Sequence, residues 1–96
     1  MAFMDVKQGQ RPYLGCSLRS MMDQPGMMVL LVNTESPAWQ AEMKVGDILL
    51  EIEGQIINKI QDFYAAVEGR HGQKVNFVVS RKGENITLRV QLWLII

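Results

Sequence analysis

The chain has 96 residues, the length of one domain, and 48% of them are apolar, which is enough for a single small core. Ten basic and ten acidic residues give a formal net charge of zero. The positive charge of a nucleic-acid-binding domain is therefore missing, and self-association is plausible. The single cysteine, Cys16, excludes an internal disulfide, and no apolar run in the sequence reaches membrane-spanning length. These features do not set a compartment.

Residues 1–10 show no signal-peptide pattern and are predicted to be a flexible lead-in. The next stretch, residues 11–18, reads RPYLGCSL. Gly15 stands between two apolar residues, where it indicates a bend or a close approach of the backbone. Successive N–H groups in such a bend can form a nest for an anion, for example a peptide's C-terminal carboxylate. A glycine bulge at the start of a strand is the alternative interpretation.

Apolar runs and alternation predict the strands. A short edge strand is followed by a loop with Pro25 and Gly26, and then by the apolar run MMVLLV. In the last strand, apolar residues alternate with Thr87, Arg89 and Gln91, which indicates one buried face. The predicted strands are residues 16–19, 27–32, 48–53, 56–57, 75–80 and 86–92, with a hairpin loop at residues 81–85.

Two helices are predicted. Ser36 as N-cap and Pro37 at the first helical position begin a short helix that continues through residues 38–43. A longer helix is predicted at residues 58–69, with Asn58 as its cap and Gln61 completing a capping box. Its apolar positions fall on one helical face, namely Ile60, Phe63, Tyr64 and Val67. The order of elements predicts an α+β domain: a bent antiparallel sheet or partial barrel covered by two helices.

Other chemistry has little support in the sequence. A catalytic Cys16 would need His71, the only histidine, as its base. Glu51 and Glu53 lie on one side of a predicted strand, where a solvated face is the simpler account. Arg81 and Lys82, at the predicted hairpin tip, are interpreted as solubilising. No cluster has metal-ligand spacing, so no cofactor is expected.

Four blocks of the sequence stand together in order: Tyr13-Leu14-Gly15-Cys16, Ser36-Pro37-Ala38, Val45-Gly46-Asp47-Ile48-Leu49 with Ile52 and Gly54, and the helix at residues 62–67. This set resembles a PDZ domain, most closely those of HtrA/Deg-type serine proteases. The resemblance covers residues 11–92, and it implies a PDZ-like bent antiparallel sheet with two helices. Two departures are Glu42, where such proteases often carry glycine, and Cys16, where a branched apolar residue is more usual.

The resemblance implies that the domain binds apolar C-terminal peptides by β-strand addition. By this analogy the N–H groups of Leu14, Gly15 and Cys16 hold the carboxylate, and the following strand residues pair with the ligand. Phe63 and Val67 complete a pocket for the last side chain, although their helical face could serve the core instead. The implied peptide-binding residues are Tyr13, Leu14, Gly15, Cys16, Ser17, Leu18, Arg19, Phe63 and Val67.

Residues 93–96 form an apolar tail that breaks the alternation of the preceding strand. The tail has the form of a PDZ ligand and is predicted to dock into another copy of the chain, which would produce self-association. A strand extension or a remnant that packs on the core is the alternative. The tail consists of Trp93, Leu94, Ile95 and Ile96.

The sequence therefore predicts a non-catalytic peptide-binding domain whose partners are protein C termini. By the resemblance, it would be the regulatory or substrate-recognition domain of an HtrA-type serine protease. A scaffolding PDZ domain without a protease and a small enzyme built around Cys16 are the alternatives.

Overall fold

A computed structural model describes residues 11–70 and 72–95. The lead-in predicted at residues 1–10, His71 and Ile96 lie outside the described residues. The strands and helices, in chain order, are β1 (Arg11–Tyr13), β2 (Cys16–Ser20), β3 (Met27–Val32), α1 (Pro37–Gln40), β4 (Ile48–Ile52), β5 (Gln55–Ile56), α2 (Ile60–Val67), β6 (Lys74–Arg81), β7 (Glu84–Gln91) and β8 (Trp93–Ile95).

Six of these strands form one antiparallel sheet in the order β2-β3-β4-β6-β7, with β5 paired to β4. Strands β1 and β8 form a separate two-stranded sheet. The predicted α+β class, an antiparallel sheet with two helices, is confirmed. Register irregularities between Ser17 and Leu18, and between Leu49 and Glu51, interrupt the ladders. Such bulges increase the local twist and bend of a strand.

The core lies between the sheet and α2. Sheet residues alternate in burial, as in β6, where Val75, Phe77 and Val79 are buried and their neighbours are not. From α2, Phe63, Ala66 and Val67 are buried against this layer. These three residues, at positions i, i+3 and i+4, lie on one face of the helix, which packs on the core as in an amphipathic helix.

The β6–β7 hairpin turns more tightly than predicted. Its loop is Lys82-Gly83, and both residues have positive φ angles, 54° and 83°. This is the two-residue turn that matches the twist of the flanking strands. Arg81 consequently belongs to β6 and not to the loop.

The interpretation of Arg81 as solubilising was wrong. Its guanidinium donates to the carboxylate of Asp47 at 2.8 Å and 2.7 Å and to the carbonyl of Glu42 at 3.0 Å. The Asp47 side chain is 2% exposed. Burial raises the pKa of Asp47, but hydrogen bonds from Arg81 and the Lys44 N–H, with the positive charges nearby, outweigh burial and lower it. The pair fixes the α1–β4 loop to β6.

Both predicted helices are shorter than expected. Helix α1 ends at Gln40, and α2 begins at Ile60 with Lys59 as its N-cap. The predicted Asn58–Gln61 capping box was wrong. The carboxylate of Asp62 accepts the backbone N–H groups of Asn58 and Lys59 instead. The side chain of Asn58 has a long-range role that is described below.

Strands β1 and β8 carry the two ends of the described chain. Arg11 pairs with Ile95, and Tyr13 pairs with Trp93. Residues 93–95, predicted as a tail, therefore form a strand, which is the alternative that the sequence left open. Docking of the tail into another copy of the chain stays a prediction. It would require β8 to separate from its partner strand β1. Within the described ranges, no helix is long and apolar enough to cross a membrane.

Candidate functional site

Strand β2 has a free edge. It pairs with β3 on one side, and no other strand of the described chain pairs with its second side. Helix α2 packs near β2. An exposed strand edge presents backbone N–H and C=O groups that can pair with another extended segment. The sheet edge and the helix therefore bound a groove that could admit one additional strand.

The loop before β2 directs N–H groups toward this edge. The Leu14 carbonyl accepts the Ala38 N–H at 2.9 Å, and the Gly15 carbonyl accepts the Asn33 N–H at 2.8 Å. Because a trans peptide places its C=O and N–H on opposite sides, the N–H of Gly15 points away from α1. By the same geometry, the N–H of Cys16 points away from β3. Among the described residues, neither Leu14 nor Gly15 donates its N–H to an acceptor.

Gly15 is required by both conformation and space. Its φ is 86°, and a Cβ there would lie 2.1 Å from the Cβ of Ser36 and 2.5 Å from its Oγ. An L side chain would be strained at this φ and would collide with α1 at the same time. The sequence prediction of a close backbone approach at Gly15 is confirmed, and the approaching group is Ser36.

Ser36 connects the loop to α1. Its hydroxyl donates to the Gly15 carbonyl at 3.3 Å and accepts a backbone N–H from the first turn of α1 at 3.2 Å. The residue is 2% exposed. The predicted N-cap is confirmed, and the cap also holds the loop in place.

The groove has one apolar wall on each side. On the β2 side, Leu14 is buried, and Cys16 and Leu18 are half-buried against the core. Ser17 and Arg19 are exposed on the opposite face of the strand. This alternation separates inward from outward positions along the edge.

On the α2 side, the predicted pocket residues Phe63 and Val67 are 7% and 1% exposed and belong to the core cluster. The same helix carries Ile60 and Tyr64, which are 38% and 48% exposed. The site prediction omitted these two residues, although they belong to the apolar series that predicted the helix. Their partial exposure makes them candidates for the open part of the groove, with Phe63 and Val67 below them.

The two ends of α2 are fixed at opposite ends of β2. Near the helix start, the Oδ1 of Asn58 accepts the N–H of Gly26 at 2.9 Å, in the loop that follows β2. Beyond the helix end, the Gly72 N–H donates to the Leu92 carbonyl at 2.8 Å, next to β8. Because β8 pairs with β1, the end of α2 lies on the side of the Leu14–Cys16 loop.

The structure offers no support for a nucleophilic Cys16. Burial raises the pKa of its thiol to about 12, so the thiol is protonated at neutral pH and is a poor nucleophile. The proposed base, His71, lies outside the described residues. Glu53 accepts the Asn76 N–H at 2.8 Å through its carboxylate, which is a structural contact. In the described ranges, no group of three acidic, histidine or cysteine side chains is placed to hold a metal ion.

The sequence model of the PDZ domain family matches residues 12–92. The chain belongs to the PDZ domain family, whose members are binding modules. Among curated proteins, a protein of Brucella suis biovar 1 named "Putative zinc metalloprotease" is 38% identical over 58 residues, 60% of this chain. The cell division topological determinant MinJ of Bacillus subtilis is 28% identical over 82 residues, 85% of the chain. The chain spans 15% and 20% of the lengths of these two relatives.

Solved structures share the fold. The HtrA-type protease AlgW with a decapeptide superposes with a TM-score of 0.81 at 22% identity, over 96% of this chain and 33% of the protease. The HtrA3 PDZ domain bound to the phage-derived ligand FGRWV gives 0.80 at 16% identity, over 90% of this chain and 88% of that one. The predicted similarity to PDZ domains of HtrA-type proteases is confirmed for the fold.

Proposed function

We propose that the chain binds C-terminal protein segments by β-strand addition to β2, with the terminal carboxylate at the N–H groups of the Leu14–Cys16 loop. The observation that carries the proposal is the pair of fixed carbonyls, at Leu14 and Gly15, which turn the next two N–H groups away from α1 and β3. Backbone N–H groups in such a nest suit a carboxylate. The structures of AlgW with a decapeptide and of the HtrA3 PDZ domain bound to the ligand FGRWV support peptide binding as the function of this fold.

The direction of the ligand follows from the site. If its carboxylate lies at the start of β2, its chain runs antiparallel to β2 and toward Gly26. The last side chain then lies among Leu14, Cys16 and Val67, at the end of α2. Strand side chains on one face recur every two residues. The third residue from the end therefore points inward near Leu18 and Ile60.

These inward positions favour apolar ligand residues. Leu18 and Ile60 are apolar, and neither carries a polar group that could satisfy a charged side chain. Outward positions lie beside Ser17 and Arg19, both exposed, where polar residues are tolerated. The proposed ligand is a peptide with a free carboxylate and apolar residues at its last and third-from-last positions.

The experiment is an NMR titration of the full chain with the hexapeptide Gly-Gly-Trp-Leu-Ile-Ile, once as the free acid and once as the C-terminal amide. We expect the acid to shift the backbone amide signals of Gly15 and Cys16 and the amide to leave them unchanged. A library of peptides with free C termini and randomised last four residues extends the search. Equal binding of acid and amide, or no binder in the library, would contradict the proposal.

The parent protein is a separate proposal. A regulatory or substrate-recognition domain of an HtrA-type serine protease is supported by the fold similarity to AlgW. The Brucella relative, named a putative zinc metalloprotease, favours a metalloprotease parent, and MinJ, named a cell division topological determinant, favours a parent without a protease. The full-length gene product distinguishes them: a trypsin-like domain, an H-E-x-x-H helix or neither would decide for the first, second or third.

A further inference from the structure

Trp93 contacts the residue that leads into the proposed carboxylate site. It pairs with Tyr13 across the β1–β8 ladder, and the two ring centroids are 5.7 Å apart with an interplanar angle of 31°. Tyr13 is the last residue of β1, so the next residue, Leu14, already belongs to the loop. Strand β8 is therefore connected to the Leu14–Cys16 loop through the ring contact between Trp93 and Tyr13.

Tyr13 is in turn connected to Gly15. Its hydroxyl accepts the side-chain NH₂ of Asn33 at 3.3 Å, and the backbone N–H of the same Asn33 donates to the Gly15 carbonyl at 2.8 Å. The Tyr13 hydroxyl also lies 3.2 Å from the position that a Cβ on Gly15 would occupy. The phenol therefore packs directly beside the glycine whose carbonyl sets the direction of the Cys16 N–H.

We propose that Trp93 is a positioning residue for the carboxylate site, acting through Tyr13 and Asn33 on Gly15. This inference rests on the proposed peptide-binding function and adds a specificity for free carboxylates that depends on strand β8. Trp93 is 40% exposed, and its indole contacts the Tyr13 ring from the surface of the domain. An aromatic pair of this kind holds its partner ring in one orientation. Loss of the indole leaves the phenol, and with it the loop, free to shift.

The test uses the full chain with Trp93→Ala, the conservative variant Trp93→Phe, and Trp39→Ala as the matched control. Trp39 is the other tryptophan; its side chain is 49% exposed, and alanine retains the backbone N–H that Trp39 donates to the Ser36 hydroxyl. The ligand is the free-acid peptide that binds the wild type most tightly among the hexapeptide and the library described above. For this ligand, we expect Trp93→Ala to weaken binding by about three- to tenfold. Trp93→Phe should recover most of the loss, and Trp39→Ala should bind as the wild type does.

A second measurement requires no ligand. In spectra of the free proteins, Trp93→Ala should shift or broaden the amide signals of Gly15 and Cys16, whereas Trp39→Ala should leave them in place. A double-mutant cycle with Tyr13→Ala should show that Trp93→Ala has almost no further effect once Tyr13 is absent, because neighbours in one chain of contacts are not additive.

The outcomes are distinguishable. If the wild type binds no peptide, the proposed function fails, and the free-protein spectra still decide whether Trp93 positions the loop. If the wild type binds and Trp93→Ala binds equally well with unchanged Gly15 and Cys16 signals, the inference about Trp93 is wrong. A fall in thermal stability without these changes would assign Trp93 a structural role only and would also overturn the proposal.

Discussion

The two ends of the groove differ in the chemical groups that form them: backbone groups at one end and side chains at the other. At the start of β2, the proposed site consists of backbone N–H groups held by Gly15 and Ser36. At the far end, it consists of side chains such as Leu18 and Ile60 beside the Asn58–Gly26 contact. A backbone site can recognise a terminus that every protein has, whereas a side-chain site can discriminate among sequences. The difference predicts that damage at the first end abolishes binding and damage at the second changes selectivity.

Gly15→Ala should have the largest effect on stability. It disturbs the backbone loop at the start of β2 and leaves the side chains at the far end of the groove intact. The added Cβ meets Ser36 at 2.1 Å and φ is 86°. We expect a loss of about 3 kcal/mol or more in the free energy of unfolding, from strain and overpacking together. Chemical denaturation measures it.

The control for Gly15→Ala is Gly46→Ala. Gly46 has a φ of 94°, but a Cβ there would meet nothing within 4 Å. It should cost only the conformational strain, about 1–2 kcal/mol. Equal losses for the two variants would show that the contact with Ser36 does not matter.

Arg81→Met should come next, and it tests how much stability comes from a buried ion pair outside the groove. The buried carboxylate of Asp47 would lose its partner, which costs about 3 kcal/mol at pH 7. Because the pKa of Asp47 is lowered in the fold, the stability it contributes is present above the unfolded value of about 3.9 and is lost as pH falls through the folded value. The difference between wild type and variant in the free energy of unfolding should therefore narrow as pH falls below the unfolded value of about 3.9, as followed by urea unfolding.

If the difference in the free energy of unfolding between wild type and Arg81→Met stays the same in acid, Arg81 acts through packing and not through the charge of Asp47. Lys82→Met is the control, since the neighbouring Lys82 is exposed in the hairpin turn. A change there should fall within about 0.5 kcal/mol.

Ser36→Ala and Asn58→Ala compare the two ends directly. Ser36→Ala removes the two hydrogen bonds of its hydroxyl, to the Gly15 carbonyl and from the first turn of α1, and Asn58→Ala removes the bond from the Gly26 N–H. Each substitution should cost about 1–2 kcal/mol of stability. Ser36→Ala should reduce the preference for a free acid over an amide. Asn58→Ala should keep that preference and weaken discrimination at the third-from-last ligand position. Peptide-library selection with both variants checks this. Identical changes in selectivity would contradict the separate roles of the two ends of the groove.

Glu42→Gly should have the smallest effect and the opposite sign. Glu42 follows α1 with a φ of 68°, a conformation that favours glycine. Its carbonyl, which accepts from Arg81, is retained in the variant. We expect a gain of up to about 1 kcal/mol in the free energy of unfolding. Glu68→Gly, at a φ of −59°, is the control and should not stabilise.

Local signals in the sequence predicted much of this architecture. Gly15 between apolar residues, the Ser36-Pro37 helix start and the apolar run of β3 each have a short-range signature, and each is observed. The departure noted at Glu42 also has a structural counterpart, because that residue has a φ of 68°, a backbone conformation that favours glycine.

Long-range contacts could not be predicted in this way. Asn58 satisfies the rule for a helix cap, yet its side chain bonds Gly26, 32 residues away. Arg81 and Asp47 are 34 residues apart, and nothing near either one in the sequence indicates the other. The β1–β8 pair joins the two ends of the described chain, so a tail interpretation of residues 93–96 was equally compatible with the local pattern.

The pairing of Arg11 with Ile95 also has a consequence for evolution and engineering. Entry to and exit from the domain are neighbouring antiparallel strands, so the domain can be inserted into a host chain without separating the flanking segments. It also suits circular permutation. A short linker from residue 95 to residue 11, with new termini opened at the exposed Lys82-Gly83 turn, should preserve the groove.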